Sequence, residues 1–385
     1  MAGLANTGWP NWGNGYCNRR RTTIVARTDL QTVFVATYTG INNCGGPAFD
    51  SDGNMYVCAS GLLSLNPDGG YRWRTSPYND DSAFMTPPVL DDNTIVFPAR
   101  NTKKTRRITQ AGADVWSYTT TYYFRRGITA GPDGAVYVST NKLMALNPNG
   151  TLRWYGPSDS GNLFYGYPTF TKNMDRIVCM TMLEFRAFDL AGNLVWSYPH
   201  TAAECEGGNI FVLSDGTLVG GNEDGKIFAL WPDGTLRWVY NTGGHANVGA
   251  IGWNDEIFYS WHSRSYAYIG ALDSDGHVLW ENPGYNDIRV GAIVDGKNRV
   301  IWGNINDVST GTYNVRIYES DGTLVNSVTV PRGLYLSPSI DQYGRIYVPT
   351  GTNGLYCLGQ VPASGGGGQY PRPARVQGRY MGVVR

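Results

Sequence analysis

Charge is scarce in this chain and cancels: 31 Lys and Arg stand against 31 Asp and Glu in 385 residues, and only 16% of the residues are charged. Nucleic acid and anionic membrane surfaces are bound through a cationic field, and no whole-chain excess supplies one. Neither a specific nucleic-acid partner nor membrane insertion is therefore expected. No window approaches the roughly 20 consecutive apolar residues of a membrane-spanning helix. The stretch from Met1 to Pro10 has no basic n-region and no apolar run. As it stands, it is expected to be neither a signal peptide nor a lipoprotein leader. Cysteine is also sparse: Cys17, Cys44, Cys58, Cys179, Cys205 and Cys357 are scattered, with no CxxC pair, no haem-attachment motif and no adjacent pair. They read as reduced thiols rather than a disulfide framework. The four histidines, His200, His245, His262 and His277, are too few and too dispersed for a three-His zinc site. A Gly-rich phosphate loop and a GxSxG elbow are both missing.

What the chain does have is 50 glycines, 13% aromatic residues and a 42% hydrophobic content, ample for a core. Glycine, Asn, Thr, Tyr and Trp in this abundance point to strands and tight turns. Length alone suggests two or three domains of ordinary size, but an internal repeat overrides that division. A turn followed by Trp recurs as Asn66-Pro67-Asp68-Gly69 before Trp73, Ala111-Gly112 before Trp116 and Asn149-Gly150 before Trp154. It continues as Ala191-Gly192 before Trp196, Asp233-Gly234 before Trp238 and Asp275-Gly276 before Trp280. Successive tryptophans are 43, 38, 42, 42 and 42 residues apart. A seventh turn, Ser320-Asp321-Gly322, has Asn326 where the Trp would fall. Ahead of each turn lies a second element, a short apolar strand, a polar turn and an alternating strand, which occurs eight times, from Ala48-Phe49 to Ser339-Ile340.

Each unit holds four period-2 apolar runs. Ile210–Leu213, Thr217–Gly220, Lys226–Leu230 and Leu236–Tyr240 are the clearest set, joined by Ser-Asp-Gly, Glu-Asp-Gly and Pro-Asp-Gly turns that tolerate positive φ. The expected fold is all-β: an eight-bladed β-propeller of four-stranded antiparallel blades. The last unit ends at Leu355–Leu358 one strand short, and Thr32–Thr37 is the natural fourth strand, with Phe34 lying 39 residues before Trp73. Such closure removes the open edge of a linear repeat. The expected divisions are an N-terminal extension over 1–30, the propeller over 31–360 and a Gly-rich basic arm over 361–385.

The recurring Ala229-Leu230-Trp231-Pro232-Asp233-Gly234-Thr235-Leu236-Arg237-Trp238 resembles the tryptophan-docking repeat of propellers related to the pyrroloquinoline-quinone (PQQ) enzymes. The resemblance runs over about residues 30–360. It implies that Trp73, Trp116, Trp154, Trp196, Trp238 and Trp280 brace neighbouring blades, a role that suits a large apolar ring with one N–H to satisfy. The enzymes of that family hold the quinone with a calcium ion, and many carry an adjacent-cysteine disulfide; this chain has no Cys-Cys pair. No catalytic, cofactor or metal residue is assigned. Asp50-Ser51-Asp52-Gly53-Asn54 imitates a calcium loop but lacks the acidic residue that would complete it, and reads as a hairpin turn. His200, Glu204, Cys205 and Glu206 form the densest set of potential ligands, in no strong metal spacing, and read as a solvated loop.

More telling are the inter-blade loops. Tyr78, Tyr122, Tyr123, Arg125, Arg126, Phe164, Tyr165, His200, Glu204, His245, Tyr285, Arg332 and Tyr335 mix aromatics with amides and charges as protein interfaces do. The C-terminal segment carries Tyr370, Arg372, Arg375, Arg379, Tyr380 and Arg385 and no acidic residue from 369 onward. It cannot order itself alone and is expected to be an assembly arm. The function expected from sequence is a non-enzymatic docking subunit of a larger homo- or hetero-oligomeric assembly. A bacteriophage tail or nozzle component is the favoured form, expected in the virion if phage-encoded and otherwise in the cytoplasm, with the periplasm expected only if a leader was removed. An envelope assembly scaffold and a PQQ- and calcium-dependent dehydrogenase are the alternatives. Pattern alone does not separate channel-lining residues such as Phe49, Phe170 and Ile340 from blade interiors.

Overall fold

A computed structural model describes residues 15–38, 45–76, 85–124, 127–157, 163–200, 208–263, 266–285, 291–306, 312–331, 337–350 and 354–359. Among them there is no helix. The strands form eight antiparallel sheets in chain order, seven of four strands and one of three. In the three-stranded second blade the innermost strand shrinks to a bridge between Val89 and Ile95. Blade 5 shows how legible the pattern was: its strands are Ile210–Val212, Leu218–Gly221, Lys226–Leu230 and Leu236–Asn241. The eighth sheet is Ser339–Ile340, Ile346–Thr350 and Gly354–Gly359, completed by Gln31–Thr37 as its outermost strand. That strand pairs antiparallel with Gly354–Gly359, from Gln31 opposite Gly359 to Thr37 opposite Gly354. The propeller is thus closed by its own N-terminal strand.

Six apolar clusters tie every adjacent pair of blades. One joins blades 1, 2 and 3 through Tyr56, Phe97 and Val136, and another joins 7, 8 and 1 through Ile301, Val348 and Val57. The other four bridge blades 3–4, 4–5, 5–6 and 6–7. Phe49, Phe170 and Ile340 belong to these inter-blade clusters, at 2%, 1% and 0% exposure. Burial on both faces explains why the second and third strands read as near-continuous apolar runs while the outermost strands alternate.

The tryptophans sit as the resemblance implied. Each indole N–H donates to a backbone carbonyl in the next blade: Trp73 to Gln110, Trp116 to Pro148, Trp154 to Leu190, Trp196 to Pro232, Trp238 to Ser274 and Trp280 to Ser320, at 2.7–3.1 Å. The accepting hairpin carries the repeat glycine beneath the ring. Gly112, Gly150, Gly192, Gly234, Gly276 and Gly322 have φ of +84° to +93°, and a Cβ on any of them would lie 2.5–3.0 Å from the preceding Trp. Where the chain closes, Phe34 takes the place of a tryptophan over Gly69, and Asn326 donates to the Thr28 carbonyl. The last repeat lacks its Trp because its neighbour is the N-terminal segment rather than a glycine hairpin.

Candidate functional site

Antiparallel connectivity puts the inter-blade loops on one face and the hairpins joining first to second and third to fourth strands on the other. On the loop face, Tyr123 is 61% exposed with the Lys103 Nζ 4.0 Å above its ring, and Tyr122 packs edge-on against Tyr155. The exposed His245 stacks on His262 with ring centroids 5.0 Å apart and faces Glu223 at 3.7 Å. Two residues expected on that surface are not there. Phe164 is fully buried in the cluster between blades 3 and 4. His200 is 6% exposed, its ring against Phe185 and Phe228 and its Nε2 3.2 Å from the Thr181 carbonyl. Both follow from the loop entering the blade at its core, where an aromatic ring is worth more buried than presented. Tyr165 and Tyr285 lie in strands Phe164–Phe170 and Val278–Tyr285. Tyr78, Arg125, Arg126, Glu204, Arg332 and Tyr335 lie outside the described residues, as do Tyr370, Arg372, Arg375, Arg379, Tyr380 and Arg385 of the arm.

The calcium-loop imitation is a hairpin brace. Asp50, fully buried, accepts backbone N–H bonds from Asp52 and Asn54 on one oxygen, and from Asn54 Nδ2, the Tyr56 hydroxyl and Gln110 Nε2 on the other. Its lone pairs are taken by the protein. Among the described residues no group of three or more His, Cys, Asp or Glu is arranged to hold a metal ion. Cys58, Cys179 and Cys357 are buried thiols in strands, and Cys17 is half-buried; Cys44 and Cys205 lie outside the described residues.

Residues 15–30, set apart in sequence as an extension, lie across the hairpin face as a lacing. The Tyr16 carbonyl accepts from the Phe170 N–H of blade 4, and the Arg19 carbonyl accepts from Ile251 of blade 6. Arg20 and Thr22 bracket Val294 of blade 7 with 2.9 Å bonds, Ile24 accepts from Gly296, and Arg27 donates to Gly344 of blade 8. The backbone thereby caps inner-strand N–H groups that face the channel and pair with no other strand.

From this lacing two side chains turn in among the inner strands. Asn18 donates to Thr169 Oγ1, and Arg20, 1% exposed, donates to Ser337 Oγ and to the Pro338 carbonyl at 3.2 Å, where blade 8 begins. Arg20 has φ of +52°, rare for a long side chain, and is held there by ties at both its carbonyl and its guanidinium. Burial pulls its pKa below the ordinary arginine value, and the nearby Tyr167 partly offsets that. Tyr167, 5% exposed, crosses from blade 4 to accept the Thr86 N–H of blade 2 at 2.9 Å, and the Thr86 hydroxyl continues to the Gly46 carbonyl of blade 1. Side chains from the lacing and from blades 8, 1, 2 and 4 thus meet among the inner strands. Sequence reasoning missed this cluster, although the Arg19-Arg20-Arg21 run in a chain poor in charge was the available signal.

Beside this cluster, the hairpin face holds an open pocket of about 590 Å³ lined by residues of the lacing, the blade 4 hairpin and Trp253 of blade 6.

Residues 100–255 match the family model described as outer membrane protein assembly factor BamB. Among solved structures, BamB from Moraxella catarrhalis aligns at 14% identity over 86% of this chain and 100% of its own, with a TM-score of 0.65. A europium-containing methanol dehydrogenase aligns at 11% identity over 88% of each chain, with a TM-score of 0.63. Virginiamycin B lyase from Staphylococcus aureus aligns at 14% identity over 86% of this chain and 99% of its own, at 0.52. No curated protein matches the chain. The chain is a tryptophan-docked β-propeller whose residues 100–255 are similar to the PQQ-like repeat family. Among the described residues, Arg20, Tyr167, Thr86 and Ser337 meet near the axis, and none of these four offers a carboxylate to a calcium ion.

Proposed function

We propose that the protein is a non-enzymatic docking scaffold, a subunit of a larger protein assembly that presents its loop face to partners. The observation that carries this reading is the pair Arg20 and Tyr167, buried among the inner strands and tied to Ser337 of blade 8 and Thr86 of blade 2, which turns the chain's own polar groups inward and leaves outer surface for recognition. The exposed Tyr123 and His245, and the Tyr122–Tyr155 pair, supply the amphipathic rings that interfaces favour. The partial match to a family named for an assembly factor supports the same reading. Within it, a virion tail or nozzle subunit is the form we favour, with the basic arm as its anchor. Deleting residues 362–385 is expected to abolish incorporation into the native particle while leaving the thermal unfolding of the propeller unchanged; full incorporation of the truncated chain would sink the arm assignment.

A dehydrogenase is the competing reading, favoured by the structural likeness to the methanol dehydrogenase. Incubation with PQQ and calcium, followed by dye reduction with simple alcohols and aldoses, is expected to give no turnover. Saturable turnover would overturn the scaffold reading.

A further inference from the structure

The pocket on the hairpin face combines a ligand-sized volume with a lining of one sign. Its volume, about 590 Å³, lies within the range of small-molecule sites, about 300–1,000 Å³. Among the described residues Arg19, Arg21 and Lys172 line it and no Asp or Glu does, in a protein whose total charge is zero. The two guanidinium groups are held in place. Arg19 donates to the Val212 and Leu213 carbonyls at 2.7 and 3.0 Å, and Arg21 donates to the Gly252 carbonyl while lying 4.5 Å over the Trp253 ring. Positioned donors lose little freedom when a ligand arrives, and planar guanidinium forks match carboxylate and phosphate oxygens in pairs. Holding these cations together is unfavourable on its own: burial, then repulsion from Arg19, pulls the Arg21 pKa below its ordinary value. Asp255 and Glu256 oppose that shift. An anion between the cations relieves their repulsion directly. Trp253, Tyr16 and Met174 add apolar wall to the same pocket.

We propose that this pocket binds a small organic anion, its carboxylate or phosphate held by Arg19, Arg21 and Lys172 and its apolar or aromatic body against Trp253 and Met174. The site proposed is one of binding. It lies on the face opposite the proposed docking surface and stands or falls independently of that reading.

The test is isothermal titration of the full chain with 1-naphthyl phosphate, 1-naphthoate and neutral 1-naphthol. At least one of the two anions is expected to bind saturably, at about 1 mM or tighter, and 1-naphthol at least about tenfold more weakly. Comparing the two anions tells which head group the cations prefer. Arg21→Gln and Lys172→Gln are each expected to weaken the bound anion about tenfold. Lys172 is exposed, so its variant tests the site without loading the fold. Absence of saturable binding by both anions, equal binding of 1-naphthol, or unchanged affinity in Lys172→Gln would each overturn the proposal.

Discussion

At the scale of single residues, the propeller depends on polar groups buried at hairpin turns. Asp295 and Asp341 repeat the arrangement of Asp50: one oxygen accepts turn N–H groups and the other an arginine, Arg299 or Arg345, with every member of both pairs nearly buried. Asp295 also accepts the Ala26 N–H, fastening the N-terminal lacing to blade 7. Sequence reading recognised such positions as turns, because Asp and Gly mark turns locally. It did not recognise them as braces, because the burial that makes the i,i+4 pairs matter comes from neighbouring blades, and further partners such as Gln110 and Ala26 lie far along the chain. His200 makes a related point about pH. Burial among Phe185 and Phe228 lowers its pKa, partly offset by its bond to the Thr181 carbonyl and by Asp224 and Glu184. With the folded-state pKa below the unfolded one, the unfolded chain takes up the proton first as pH falls, so stability drops below about pH 6.5. Urea midpoints are expected to decline from pH 7 to 5, and the decline to be shallower in His200→Phe. Equal slopes for the two proteins would refute the assignment.

At the scale of the element, the repeating unit is a hairpin glycine under a neighbour's indole. Two constraints coincide at Gly234: its φ of +89° disfavours any side chain, and a Cβ would lie 2.5 Å from Trp196. Gly234→Ala is therefore expected to cost about 2 kcal/mol or more, the backbone strain alone accounting for roughly 1–2 kcal/mol. Denaturant unfolding measures it, and a loss below about 0.5 kcal/mol, the range of ordinary surface substitutions, contradicts the docking geometry. Nearly all of this element was legible, since strand periodicity, turn residues and the Trp spacing are local signals. The positions of Phe164 and His200 were not, because a loop's composition does not say which of its aromatics turn inward.

At the scale of the whole molecule, closure is non-covalent: Gln31–Thr37 completes the sheet of Gly354–Gly359, and Ala26, Leu30 and Ala36 join the cluster uniting blades 7, 8 and 1. A circular permutant that carries residues 15–38 after Gly359 through a flexible linker long enough to cross from blade 8 to blade 4, and begins at residue 45, places every described strand where it was. It is expected to remain a folded monodisperse species with a melting temperature within about 5 °C of the parent, whereas deletion of residues 1–38 without replacement is expected to aggregate through the exposed edge. Size-exclusion chromatography with light scattering and thermal melting report both outcomes, and a permutant that fails to fold would show that closure needs more than this strand pairing.

The repeat by itself determined the blades, their number and the closing strand, and the tryptophan docking was what the family resemblance implied. The first three follow from period-2 burial, turn chemistry and a spacing near forty residues, which neighbouring residues specify without reference to distant ones. Only the tertiary structure decided the place of residues 15–30 and of the Arg20 side chain. Arg20 meets Ser337 across 317 positions of chain, and Arg19 meets Val212 across 193. Those contacts exist only once the ring has closed, and no local pattern in a short basic run can announce that it will cap five blades and wall a pocket of one charge.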